Sequence, residues 1–117
     1  QQNLKDYVAN ICHLGVGEIY LNSIDKDGTG QGYFLKILDN IDKNIIVPII
    51  MAGGAGNYNH LFEGIQQDNV DAVATANLYN FIGDALPNAR EKLLNEGVPM
   101  ALWKPEEKNL LKGYFNS

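Results

Sequence analysis

Apolar residues recur at three- and four-residue intervals in several stretches of this chain, and denser apolar runs lie between them. Leu4, Tyr7, Val8, Ile11, Cys12 and Leu14 follow the i, i+3, i+4 spacing of an amphipathic helix, which Gly15 and Gly17 end. Glu18 to Ser23 reads as a strand, and Phe34, Ile37, Leu38 and Ile41 mark a second helix. Ile45 to Met51 is a nearly continuous apolar run, as in the strands of a buried parallel sheet. Pro48 sits awkwardly inside it, because proline prefers strand starts and edges. Leu61, Phe62 and Ile65 predict a helix over His60 to Gln67, and Asp71 to Ala76 a third strand. Leu78 to Phe81 fits a short extra helix. Leu86, Ala89, Arg90, Leu93 and Leu94 predict a further helix, closed by Gly97 and Pro99. The tail from Trp103 is charged and then aromatic, and predicts no element.

Helices and strands therefore alternate, which predicts an α/β fold with parallel pairing and right-handed crossovers. Three strands are too few for a closed (β/α)₈ barrel, which needs eight. At 117 residues, 45% of them apolar, the chain is one domain at most and has enough material for a core. The net charge of −5 argues against nucleic acid and against an anionic membrane surface. No apolar run approaches the roughly 20 residues of a membrane span, and no signal peptide is visible. A single cysteine, Cys12, forms no internal disulfide, so the expected compartment is the cytoplasm. Cys12 lies in a helical stripe and reads as packing. His13 and His60 fit no metal spacing. His13 ends a helix, where a cation suits the dipole, and His60 is expected on a helix surface. No metal and no cofactor is expected.

The chemistry concentrates where strands end. After the first strand come Asp25 and Asp27, then Gly28, Gly30 and Gly32. Carboxylates at the C-terminal mouth of a parallel strand sit where α/β enzymes keep their active sites. Two such acids can split their pKa values and serve as general acid and base. The same spacing also fits an Asp-rich turn whose carboxylates bond backbone amides, and Lys26 between them would hold both ionised. After the second strand, Gly53-Gly54-Ala55-Gly56 opens toward a helix. Glycines there let backbone amides approach an anion, helped by the positive helix end. The pattern is neither GxGxxG nor a P-loop. Thr75-Ala76-Asn77 and the short helix after it make a second candidate anion site.

Glu18 to Thr29, with Gly32-Tyr33, resembles strand six and its loop in the cyclase subunit family of imidazole glycerol phosphate synthase. Pro48 to Gly56 is similar to its strand seven, and Asp71 to Asn77 to its strand eight. The resemblance covers about residues 4 to 100, and its Ser-Ile-Asp-x-Asp-Gly-Thr motif is specific. Ser23 and the Gly53-Gly54-Ala55-Gly56 loop favour the cyclase over the related phosphoribosyl isomerase. It implies the C-terminal portion of a (β/α)₈ barrel over 1–103, comprising helix 5 and the strands and helices 6 to 8, with a tail over 104–117. It implies Asp27 as the catalytic acid and a substrate phosphate held by Gly53, Gly54, Ala76 and Asn77. Asn22 joins the substrate-binding set, and Glu18 matches an acid of the charged ring where ammonia enters. The implied partners are a glutaminase subunit and a phosphorylated small molecule in histidine biosynthesis.

The strand-one aspartate of that family has no counterpart here, so the chain alone is expected to be inactive. Ala52, Asn77, Asn80 and Phe34 depart from the family's usual residues. Such departures also fit a cyclase-like subunit feeding ammonia to an amidotransferase that modifies surface-polysaccharide sugars, or a non-catalytic partner subunit. A small stand-alone phosphate-binding domain is a further reading. Two open sheet edges and an inner face bearing Tyr20, Ile50 and Ala74 predict self-association, unless the tail from Trp103 to Phe115 covers that face.

Overall fold

The computed structural model describes residues 3–76, 78 and 85–101. Helix α1, Leu4–His13, starts at Asn3, whose side chain accepts from the N–H of Lys5 at 3.1 Å. It ends before Gly15, at φ +78°, a conformation that costs glycine nothing. Val8 is its buried anchor, Leu4, Ile11 and Cys12 pack against the core, and Tyr7 and Leu14 stay exposed.

Three strands form one parallel sheet in the order β1 (Ile19–Asn22), β2 (Ile49–Ala52), β3 (Ala72–Val73). The register sets Tyr20, Ile50 and Ala72 in one row and Leu21, Met51 and Val73 in the next. Side chains alternate across a sheet, so these rows face opposite ways. Ile19, Ile49 and Met51 point into the core, with Ile49 and Met51 each 2% exposed. The Tyr20 row forms the other face, where Tyr20 is 62% exposed.

β2 is shorter than the apolar run 45–51 predicts. Pro48 has no N–H to give a ladder, so the strand begins after it, although its carbonyl accepts from Ile19 N–H at 2.9 Å. Residues 45–47 form a loop in which Ile46 is 95% exposed. β3 is likewise shorter than Asp71 to Ala76. The Asp71 side chain turns back to accept from Ile49 N–H at 3.0 Å.

The expected second helix is a 3₁₀ helix, Leu35–Asn40. Leu35, Leu38 and Ile41 recur every three residues, which a three-residue turn stacks on one side, and Leu38 and Ile41 are buried. Helix α2, Tyr58–Ile65, follows the glycine loop and is capped by Asn57. Helix α3, Ala85–Asn95, ends as the sequence indicates. Val98 N–H donates to Leu93 O and Gly97 N–H to Leu94 O, both at 3.0 Å, with Gly97 at φ +82°. That pair of bonds is the Schellman motif. Asn77, the expected extra helix beyond Leu78, the tail and the boundary at 103 lie outside the described residues.

Candidate functional site

The C-terminal ends of β1 and β2 carry two loops, and glycine holds them together. Ser23 N–H donates to Ala52 O at 3.1 Å, which extends the ladder to the loop mouth. Beyond it, Gly32 N–H donates to Gly54 O at 2.8 Å. The backbones approach too closely for any side chain between them. A Cβ on Gly54 would lie 2.2 Å from Gly32 O, and one on Gly56 would lie 2.4 Å from Gly30 O. Gly53 and Gly54 also have φ of +83° and +108°, where L-residues are strained.

The first loop turns tightly after β1. Lys26 and Asp27 N–H groups both donate to Ser23 O, at 3.2 and 2.9 Å. Thr29 donates to Lys26 O through both its N–H, at 3.0 Å, and its hydroxyl, at 2.7 Å. Lys26 Nζ donates to Gln31 Oε1 at 3.4 Å. Asp25 and Asp27 are both exposed. Tyr33 closes the loop: its ring is buried and its hydroxyl donates to Ala74 O at 3.0 Å, tying this loop to the end of β3.

In the second loop Gly53 and Gly54 are buried. Among the described residues, none accepts from the N–H of either. Asn22, the last residue of β1, lies against them, its Oδ1 at 2.6 Å from where a Gly53 Cβ would stand. Ala76 is exposed beyond β3. Glu18 is exposed at the opposite, N-terminal end of β1. Asp27, Asn22, Gly53 and Gly54 thus belong to one mouth, and Glu18 to the other end of the sheet.

His60, expected on a helix surface, is half-buried and joins this mouth. Its Nδ1 accepts from Gly56 N–H at 3.1 Å, while its own N–H donates to Asn57 Oδ1 at 3.2 Å. The signal was present in the sequence. Asn57 and His60 stand at the N-cap and N3 positions of a capping box, but the His60 ring reaches the N–H one residue before the cap instead of that of the cap itself. Among the described residues no cluster of His, Cys, Asp and Glu is arranged to hold a metal ion. None of their helices is long and apolar enough to cross a membrane.

The family model for histidine biosynthesis protein matches residues 1–82. The chain belongs to this family. It is similar to a putative imidazole glycerol phosphate synthase subunit hisF2 of Parasynechococcus marenigrum (strain WH8102), at 40% identity over 104 residues. That match covers 88% of this chain and 39% of the relative. Imidazole glycerol phosphate synthase subunit HisF of Chlorobaculum parvum (strain DSM 263 / NCIMB 8327) is 36% identical over 102 residues, 87% of this chain and 41% of the relative. The subunit of the same name from Chlorobium limicola (strain DSM 245 / NBRC 103803 / 6330) is 35% identical over 97 residues, 83% and 39%. The chain spans about two fifths of the length of the curated relatives it matches. Its parallel βα units are part of the (β/α)₈ barrel of this histidine biosynthesis family.

Proposed function

We propose that this chain is the C-terminal part of the cyclase subunit of an imidazole glycerol phosphate synthase, acting with a glutaminase that supplies ammonia. The observation that carries the reading is the glycine loop Gly53–Gly54, packed at the strand ends against the loop that bears Asp27, with Gly32 N–H donating to Gly54 O at 2.8 Å. A glycine loop that leads into the N-terminus of α2 suits a phosphate, because its backbone can approach an anion closely and the helix end adds partial positive charge. The family resemblance assigns Ala76 and Asn77 to the same phosphate site. Asn22 orients the bound substrate, and Asp27 moves a proton at the reacting atoms. Glu18 belongs to the entry for ammonia at the far end of the barrel.

Titration with inorganic phosphate, followed by amide NMR, tests the cradle. The Gly53, Gly54, Ala76 and Asn77 resonances should move together at millimolar phosphate. Four amides that stay still would sink the phosphate assignment.

By itself this chain should self-associate. Among the described residues β1 and β3 are each paired on one side only. Tyr20 stands exposed on the sheet face beside half-buried Ile50, Ala72 and Ala74. An apolar face with open edges is a template for another chain. A cavity of about 520 Å³, lined by Ile65, Val70, Val73, Leu93, Val98 and Met100, adds apolar surface next to β3. Light scattering should give a mass above the monomer that rises with concentration. A constant monomer mass, with the tail from Trp103 to Phe115 protected from protease, would show the tail covering the face instead.

A further inference from the structure

We infer that His60 is a positioning residue that clamps the glycine loop to the loop carrying Asp27, and that it does so through an unprotonated Nδ1. The clamp itself stands on geometry, while its effect on ligand binding rests on the phosphate reading above.

One imidazole ring meets both loops. On one side Nδ1 accepts from Gly56 N–H at 3.1 Å. On the other the ring faces Gly32 across the space of one methyl group: an added Cβ would be 3.4 Å from Cδ2 and 3.6 Å from Cγ and Nε2. Gly32 is in turn bonded through its N–H to Gly54 O at 2.8 Å. The ring therefore fixes Gly56, two residues beyond Gly54, and stands beside the segment that returns from Asp27.

The contacts also select the proton position. A neutral imidazole carries one N–H and one lone pair. Gly56 N–H can only donate, so the lone pair is on Nδ1 and the proton on Nε2. Asn57 Nδ2 lies 3.5 Å from Nε2, but Asn57 Oδ1 is already committed to His60 N–H. Two donors then face each other at Nε2, and that contact is not a hydrogen bond. An imidazolium would lose the Gly56 bond as well, since it has no lone pair.

Two variants separate acceptor from ring. His60→Phe keeps a ring against Gly32 and sets a C–H against the Gly56 donor. His60→Asn places its Oδ1 where Nδ1 stands and restores the acceptor. The ¹⁵N-labelled 117-residue chain is read three ways: imidazole nitrogen shifts, Gly56 amide exchange, and affinity for inorganic phosphate. Wild type should show a proton on Nε2 and a lone pair on Nδ1. His60→Phe should speed Gly56 exchange and weaken phosphate, each by about tenfold, as expected for a donor left unpaired. His60→Asn should restore both to within about threefold. A proton on Nδ1 in the wild type, a measurement that needs no variant to fold, would overturn the inference. So would a His60→Phe chain with unchanged exchange and affinity. If exchange responds as expected while the wild type takes up no phosphate, the phosphate reading fails and the clamp stands.

Discussion

Asp27→Asn, made in a complete barrel carrying this segment, should lower kcat by about 10²- to 10⁴-fold, the usual contribution of a positioned acid or base. The KM for the phosphorylated substrate should move less than about threefold, because the change removes a proton and not a binding contact. Asparagine keeps the shape, and the turn that places residue 27 is built from backbone: its N–H donates to Ser23 O at 2.9 Å, and Thr29 braces Lys26 O from two donors. The substituted loop should therefore hold its conformation. Asp25→Asn is the matched control, since Asp25 is exposed on the same turn and carries no assigned role. It should cost less than about tenfold in kcat. Steady-state rates with ammonium in place of the glutaminase isolate the chemical step. Equal losses in the two variants would remove Asp27 from its assigned role, and a loss carried by KM alone would make it a binding residue.

The strand-end logic of this site was legible in the sequence because glycine and aspartate mark it locally. Gly53, Gly54 and Gly56 were read as leaving room for an anion, and the structure shows what else needs that room: each has backbone of the first loop or the Asn22 side chain within 3 Å of a hypothetical Cβ. The end of the last helix was legible, because Gly97 is written directly after the apolar spacing stops. Lengths were not. The run 45–51 is apolar throughout, yet ladder bonding is decided by a missing N–H at Pro48 and not by hydropathy. The stretch Phe34 to Ile41 satisfies both a 3.6- and a 3.0-residue repeat, so periodicity could not choose between α and 3₁₀. His60 was misplaced for a related reason. Its helix position follows from spacing, but its partner is a backbone N–H one residue before the cap, and hydrophobic pattern says nothing about that. The sheet face, by contrast, was expected to bear Tyr20, Ile50 and Ala74, and the register pairs Tyr20 with Ile50 and Ile50 with Ala72.

Gly54→Ala should be the most destabilising single-methyl addition in the described chain. Two costs combine at that position. Its φ of +108° lies where an L-residue is strained by about 1–3 kcal/mol. The added Cβ would stand 2.2 Å from Gly32 O and 3.0 Å from Lys26 Cβ. The carbonyl cannot give way cheaply, because it belongs to backbone whose own N–H donates to Gly54 O at 2.8 Å. Relieving the clash means separating the two loops and losing that bond, for a total of about 3 kcal/mol or more. Gly15→Ala isolates the first cost: φ is +78° but nothing lies within 4 Å of the new methyl, so about 1–2 kcal/mol is expected. Gly17→Ala has neither problem and should fall within about 0.5 kcal/mol of wild type. Urea midpoints for the three variants should therefore fall in the order Gly17→Ala, Gly15→Ala, Gly54→Ala, from most to least stable. The phosphate-induced amide shifts should vanish in Gly54→Ala alone, since only that change parts the loops. A Gly54→Ala midpoint equal to that of Gly15→Ala would mean that the two loops do not pack as tightly as the 2.8 Å bond implies.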